Sequence, residues 1–368
     1  MQSLFALQQC KDASYELCLD QIAEAFAPDL NSMEVQDKTQ LGLLKKQAIK
    51  TFEKAFAEGE FSVAHDDPKI KKAVNSAFVF YQAQVKKDND FFRKNLVSEV
   101  EKIYDHYIST LSLVAKFAEL AEADKKLSHK NFIANAWVKA LQSSEQLRKE
   151  ALKLGRHWQD KSEQVRLWFR DVIRQDNEYL TYLDRKNPTG EDQRKFVSHL
   201  FKKVIFGKTV INDFFEEEVL RWAEDKDIVK ALVEKTIKSF DPENDKGITL
   251  HALSLNWDED KEFIEILYKT ASSLSGKHKE LIANNTRNWE VERLPLTDRI
   301  ILEMSIAELI SFPNIPVKVT INEYIELAKN YSTPKSRQFV NGILDVIAKE
   351  LKDSGDIKKS GRGLIDNK

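Results

Sequence analysis

Few residues of this chain stand at the spacings that catalysis or metal binding requires. Gly207-Lys208-Thr209 ends like a phosphate-binding loop, but such a loop needs a glycine five positions before the Gly-Lys pair. Lys202 stands there, and the run before it reads as helix, which argues against nucleotide binding at this place. The acidic loop Asp241-Pro242-Glu243-Asn244-Asp245-Lys246-Gly247 puts glycine at position 7 of a calcium loop instead of position 6, and Ala252 where a bidentate glutamate belongs. The seven histidines never pair at i and i+4, and none neighbours Cys10 or Cys18, so no metal ligand set is expected. The Gly-x-Ser-x-Gly turn of a serine nucleophile and the Gly-x-Gly-x-x-Gly dinucleotide loop are both absent. Glu216 and Glu218 read as a solvated helix face and not as a catalytic pair. No catalytic residue and no cofactor is therefore assigned.

One cluster invites a binding reading. Tyr331, Lys335, Arg337 and Phe339 gather around the loop and first turn of the last predicted helix. They would offer cations to phosphates and aromatic faces to unstacked bases, beside helix N-terminal amides. The competing reading makes Phe339 a core residue and leaves the two cations solvated. Net charge does not decide between them: 57 Lys and Arg against 59 Asp and Glu give −2 and a pI near 6.4, so no global field draws the chain to nucleic acid, and any such binding is local.

The elements that must position these residues are helical from end to end. The 368 residues are 42% apolar, with 21 phenylalanines and six tryptophans to fill cores, whereas glycine (11) and proline (8) are scarce. That balance predicts an all-α protein. Residues 1–26 read as one broken helix or two short ones, and amphipathic segments follow at 38–57, 69–87, 89–123, 130–154, 159–177, 191–206, 209–224 and 227–240. Loops are expected at His65–Pro68, Asn187–Gly190 and Asp241–Gly247. Trp137, Trp158, Trp168 and Trp222 are most simply core. Cys10 and Cys18 read as reduced packing thiols, and no segment resembles a membrane span or a secretory signal, so the chain reads as cytoplasmic.

Beyond residue 250 the prolines crowd and the helices shorten. Asn256 with Glu259 predicts a capped helix through Phe263, Ile264, Leu267 and Tyr268, and 297–310 is so densely apolar that it must be largely buried. Thr320 with Glu323 predicts a second box-capped helix start, at Asn322 and Glu323. Thr333-Pro334 predicts the start of the last helix, with a core stripe of Phe339, Val340, Ile343, Leu344, Ile347 and Leu351. From Asp353 a disordered basic tail is expected.

Three runs in this region carry a family resemblance. They are Asn288-Trp289-Glu290-Val291-Glu292-Arg293-Leu294-Pro295-Leu296-Thr297-Asp298-Arg299-Ile300-Ile301-Leu302, Ile315-Pro316-Val317-Lys318-Val319-Thr320-Ile321-Asn322-Glu323-Tyr324-Ile325-Glu326-Leu327-Ala328-Lys329, and Lys335-Ser336-Arg337-Gln338-Phe339-Val340-Asn341-Gly342-Ile343-Leu344-Asp345. In order and spacing the stretch 256–352 resembles the NusB family of transcription antitermination factors. The resemblance implies a compact all-α domain without catalysis. It also implies binding of boxA-type RNA together with ribosomal protein NusE, in an elongation complex with other Nus factors and away from membranes. Tyr331, Lys335, Arg337 and Phe339 fall where that family presents part of its RNA-facing surface. Gly342 is expected to allow close helix packing, and Asn341 to satisfy interior backbone groups.

Two departures matter. The family's arginine-rich first helix has no counterpart in Met1-Gln2-Ser3-Leu4-Phe5-Ala6-Leu7, which resembles only the end of that pattern, so an upstream basic segment is expected. Ala307 stands where the family commonly has a tyrosine, which puts one aromatic surface contact in doubt. The resulting division is 1–27 as the remnant of the first helix, 28–253 as a helical insertion or extension to which no role is assigned, 254–352 as the NusB-like RNA-binding domain and 353–368 as the disordered basic tail. A NusB-like scaffold that binds a protein and not RNA is the alternative. RNA methyltransferases that carry a NusB-like domain are set aside, because the chain provides neither their cofactor loop nor their catalytic cysteine.

Overall fold

The computed structural model describes residues 1–29, 35–244, 247–286 and 294–367. Asp245, Lys246 and the motif residues Asn288 to Arg293 lie outside the described residues. Among the described residues the fold is all-α, without a strand. Helices α1 (Gln2–Ala25) and α2 (Lys38–Ala57) precede α3 (Pro68–Ala123). Short helices follow: α4 (Lys130–Ala134), α5 (Ala136–Ser143), α6 (Glu145–Lys153), α7 (Ser162–Asp171), α8 (Asn177–Leu183), α9 (Gly190–His199), α10 (Thr209–Glu218) and the longer α11 (Trp222–Ser239). The last group is α12 (Trp257–Ser272), α13 (Gly276–Thr286), α14 (Leu296–Ser311), α15 (Val317–Tyr331) and α16 (Ser336–Asp353). No described helix is long and apolar enough to cross a membrane.

The chain divides into two compact units, Met1–Val97 with Glu259–Lys368, and Ser98–Asp258. The cut differs from the expected insertion at 28–253, because α2 and the first part of α3 belong with α1. An aromatic cluster explains why. Phe52 of α2 stacks on Phe78 of α3 at 4.7 Å and meets Tyr15 of α1 at 5.6 Å. Cys18 is buried in the same core and its thiol contacts the Ala77 carbonyl at 3.2 Å; burial pushes the thiol up to about 11, which makes it a packing group. The expected break between 87 and 89 does not occur. Asp88, Asn89 and Asp90 interrupt the apolar pattern but include no proline or glycine, so α3 continues through them.

A second core in the first unit surrounds α14. Ile300, Ile301, Leu302, Ile306, Ala307 and Leu309 are all buried, so this helix is largely covered, as its apolar density requires, with a stripe at Arg299 and Glu303 left partly exposed. Leu4 and Leu7 of α1 join it with side chains from α12, α13, α15 and α16. Two carboxylates share that burial. Glu308 accepts from the Tyr324 hydroxyl at 3.0 Å, and burial raises its pKa although the Thr320 and Tyr324 hydroxyls favour the ion. Asp298 accepts from the Ser336 hydroxyl at 2.7 Å.

Helix starts correct two sequence expectations. α15 begins at Val317 with Pro316 at its N-cap, several residues before the expected box; Thr320 lies inside the first turn, fully buried. α16 begins at Ser336 and not at Pro334. Sequence reasoning also expects disorder after Asp353, yet this segment packs. Ile357 is buried, Lys359 Nζ donates to the Leu309 and Phe312 carbonyls at the end of α14 (3.2 and 3.0 Å), and the Ser360 amide donates to the Pro313 carbonyl at 3.0 Å. A cation on the terminal carbonyls of a helix complements its dipole.

In the second unit, the expected helix 130–154 is three. Asn135 ends α4 and caps α5, its side-chain carbonyl accepting from the Trp137 and Val138 amides, and Ser144 caps α6 in the same way. Asn135 is buried and also donates to the Tyr182 hydroxyl at 3.0 Å and the Gln193 carbonyl at 3.1 Å. The expected core tryptophans are core. Trp137, Trp158 and Trp222 direct their indole N–H groups to the Ile237 carbonyl (2.9 Å), the Ser109 carbonyl (2.8 Å) and Asn212 (3.2 Å). Gly207 is required by close approach, since a Cβ there would overlap the Lys203 carbonyl at the end of a π-helical turn, 200–205.

Two measurements test this packing. Tyr324→Phe removes a donor from buried Glu308 and should cost about 1–3 kcal/mol in urea unfolding followed by circular dichroism. His106 is 2% exposed, and burial, reinforced by Arg156, Lys102 and Arg221, depresses its pKa from 6.5 to about 4. Its unfolded form takes up a proton that the folded form refuses, so stability is full above pH 6.5 and falls as pH drops towards 4, by about 3 kcal/mol. Tryptophan fluorescence reads this loss, because Trp137, Trp158, Trp168, Trp222 and Trp257 all lie in the second unit. His106→Gln should flatten the dependence.

Candidate nucleic-acid interface

The turn between α15 and α16 is built from hydroxyl chemistry. Ser336 donates to buried Asp298 at 2.7 Å, while Ser332 donates to the Ser336 hydroxyl at 2.9 Å and the Thr333 hydroxyl lies 2.8 Å from it. The Ser336 amide closes the turn on the Thr333 carbonyl at 2.9 Å. Together these contacts fasten the first residue of α16 to the interior of α14. Neighbouring positions then have no choice of direction: with Ser336 3% exposed and facing inward, Lys335 and Arg337 face solvent. Tyr331, on the last turn of α15, is 38% exposed. Arg337 also lines a shallow groove with Ile325, Pro334, Gln338 and Asn341.

Three of the four sequence-predicted residues thus share this surface. Phe339 does not. Its ring is 9% exposed and belongs to the core with Val340, Ile343 and Leu344, so it cannot offer a face to a base. The helical period places residue 339 three positions after Ser336, on the same inward face. Asn341 is the converse correction: it is exposed and lines the groove instead of serving interior backbone groups. Gly342 is exposed with open space where a Cβ would stand, so it mediates no close helix packing. Ala307 is fully buried and is no part of this surface.

Sequence reasoning missed two other cationic places. Lys11 of α1, Lys279 of α13 and Arg299 of α14 converge on Glu303. Burial lowers the Lys11 pKa, and Lys279 and Arg299 lower it further, while burial raises that of Glu303 against the pull of the same cations. Arg299 Nε stands 3.9 Å from Glu303. No spacing links positions 11, 279 and 299, so only folding brings them together. Lys318, Lys349 and Lys352 rim a second groove floored by Val317, Ile321 and Ala348. Among the described residues, no cluster of histidine, cysteine and carboxylate side chains is arranged to hold a metal ion.

Similarity to known proteins is concentrated in this half of the chain. The model of the NusB family matches residues 226–349, which include α12 to α15 and most of α16. The transcription antitermination protein NusB of Salinibacter ruber is 41% identical over 127 residues, 33% of this chain and 79% of that protein. The chain belongs to the NusB family. A NusB antitermination protein from Koribacter versatilis is 40% identical over 103 residues, 28% of this chain and 70% of its own length. That of Chloroherpeton thalassium is 49% identical over 85 residues, covering 23% of this chain and 40% of the relative. No solved structure matches the chain. The NusB match leaves α1 to α10 outside it.

The division of roles around Ser336 can be measured. Phe339→Ala should destabilise the protein by about 3–5 kcal/mol in thermal or urea unfolding. Lys335→Ala with Arg337→Ala should stay within about 0.5 kcal/mol of the parent.

Proposed function

We propose that this protein is a transcription antitermination factor that binds boxA-type RNA together with ribosomal protein NusE. It acts in the cytoplasm within an elongation complex containing other Nus factors, by recognition and without catalysis, and suppresses premature termination of ribosomal RNA transcription. The observation that carries this reading is the fastening of Ser336 to Asp298, which holds Lys335 and Arg337 outward beside Tyr331. Cations at fixed positions contact phosphates without first losing loop entropy, and a half-exposed tyrosine offers a stacking face to an unpaired base. The groove beside Arg337 provides polar groups from Gln338 and Asn341 for base edges. Because the whole chain is near neutral, affinity rests on these local cations.

One observation favours a protein-binding scaffold without RNA affinity. Helix α1 carries a single cation, Lys11, against the carboxylates Asp12, Glu16, Asp20 and Glu24, and so repels a phosphate backbone. Titration of labelled boxA RNA and a scrambled control, with and without NusE, separates the readings. Preference for boxA in the presence of NusE is expected, and equal affinity for both RNAs would remove the antitermination reading. Lys335→Ala with Arg337→Ala should weaken boxA binding by about tenfold and reduce the slope of log affinity against log salt by about 1.4. Unchanged binding would exclude these two residues from the interface.

A further inference from the structure

The second unit contains a cavity of about 60 Å3 that plays no part in the reading above. His106 of α3 contributes its floor, the loop from Gly155 to Lys161 forms one wall, and α10 forms the other through Phe214 and Glu218. At roughly 10–15 Å3 for each water-sized occupant, such a space holds about five heavy atoms, the size of a tetrahedral oxyanion.

Two residues of this lining carry buried hydrogen-bonding atoms without a partner, His106 Nε2 and Arg156 Nε. Ser112 Oγ and Trp168 Nε1 of the same unit are also buried and unpaired but do not line the cavity, whereas two orphans around one cavity point to a missing acceptor. The neighbouring cations already have acids: Lys161 lies 2.5 Å from Glu218, Lys102 2.5 Å from Glu99 and Arg221 3.4 Å from Glu99. Arg156 pairs loosely with Asp105 through Nη2 at 3.8 Å, and that contact leaves its Nε without a partner. The remaining carboxylate of the lining, Asp160, is exposed.

The loop that carries Arg156 is strained. Trp158 adopts φ 61°, a left-handed conformation that bulky residues rarely take, and its indole is pinned to the Ser109 carbonyl at 2.8 Å. Directly after this loop α7 starts at Ser162, and its N-cap residue, Lys161, supplies no side-chain acceptor to the first-turn amides. An uncapped helix start adds a positive end to the same wall. A shallower groove shares His106, Arg156 and Glu218 with the cavity.

We propose that this cavity binds a phosphate group, whose oxygens accept from Arg156 Nε and from His106 Nε2 in the tautomer that carries its proton there. The guanidinium supplies the charge, and the neutral imidazole supplies a second, directional donor.

The full chain titrated with inorganic phosphate, and separately with glycerol phosphate, tests this at constant ionic strength with chloride as the balancing anion. Tryptophan fluorescence and phosphorus NMR line width are the readouts. A saturable phosphate response is expected, weakened about tenfold or more by Arg156→Ala and only partly restored by Arg156→Lys, which keeps the charge but not the planar fork. Lys335→Ala with Arg337→Ala should leave it unchanged. A response to glycerol phosphate as well assigns the site to phosphomonoesters; a response to phosphate alone assigns it to the free ion. The proposal is overturned by the absence of a saturable response at millimolar phosphate. It is equally overturned by a response that survives in folded Arg156→Ala or Arg156→Lys protein at parent strength, or that the Lys335 and Arg337 substitutions abolish.

Discussion

Burial of most of the circumference of α14 is the constraint from which the first unit follows. Only a narrow stripe of α14, at Arg299 and Glu303, reaches solvent, and Asp298 and Glu308 lie off it in the buried part of the helix. Each must find its hydrogen bonds on a neighbour, because an unpaired buried carboxylate is costly. Asp298 takes the hydroxyl of Ser336, and Glu308 takes that of Tyr324. Those two bonds settle where α15 and α16 stand against α14. The direction of Lys335 and Arg337 is a by-product of satisfying an acid in the interior.

The second unit meets the same requirement with different groups. Its interior polar atoms belong mostly to neutral side chains that interrupt helices. Asn135 splits a long amphipathic segment and uses both ends of its amide, one on the following helix start and the other on Tyr182 and Gln193. The indole N–H groups of Trp137, Trp158 and Trp222 end on two carbonyls and on Asn212. Ser112 Oγ and Trp168 Nε1 are unpaired in the same unit, but the unpaired nitrogens of His106 and Arg156 differ in lining one cavity.

Much of this was legible in the sequence. Helical period and the scarcity of glycine and proline lead to an all-α fold, the apolar density of 297–310 leads to a largely buried helix there, and three spaced motifs lead to the family. What failed were inferences that depend on a side chain's direction. Thr320 looks like a cap by spacing, but Pro316 already starts the helix, so the threonine turns inward. Phe339 looks like a base platform beside two cations, but the period that carries it from Ser336 buries it. Asn341 and Gly342 look interior by residue type and lie outside. The grouping of Lys11, Lys279 and Arg299 was beyond any local pattern, because three helices from distant parts of the chain supply it. A tail rich in lysine, glycine and serine read as disorder, since nothing local reveals that Lys359 has two helix-terminal carbonyls waiting for it.

The division of the chain has a consequence for how it folds. The first unit is assembled from residues before 98 and after 258, so its central core cannot close until the intervening 98–258 has been made. Bringing together the ends of an open coil of that length costs about 4–5 kcal/mol of chain entropy. Trp257 at one end of the second unit donates to Glu101 near its other end, at 3.1 Å. Once folded, that unit therefore behaves as a short covalent bridge, and the halves of the first unit meet as near neighbours. The order of assembly is set from the inside of the chain outward.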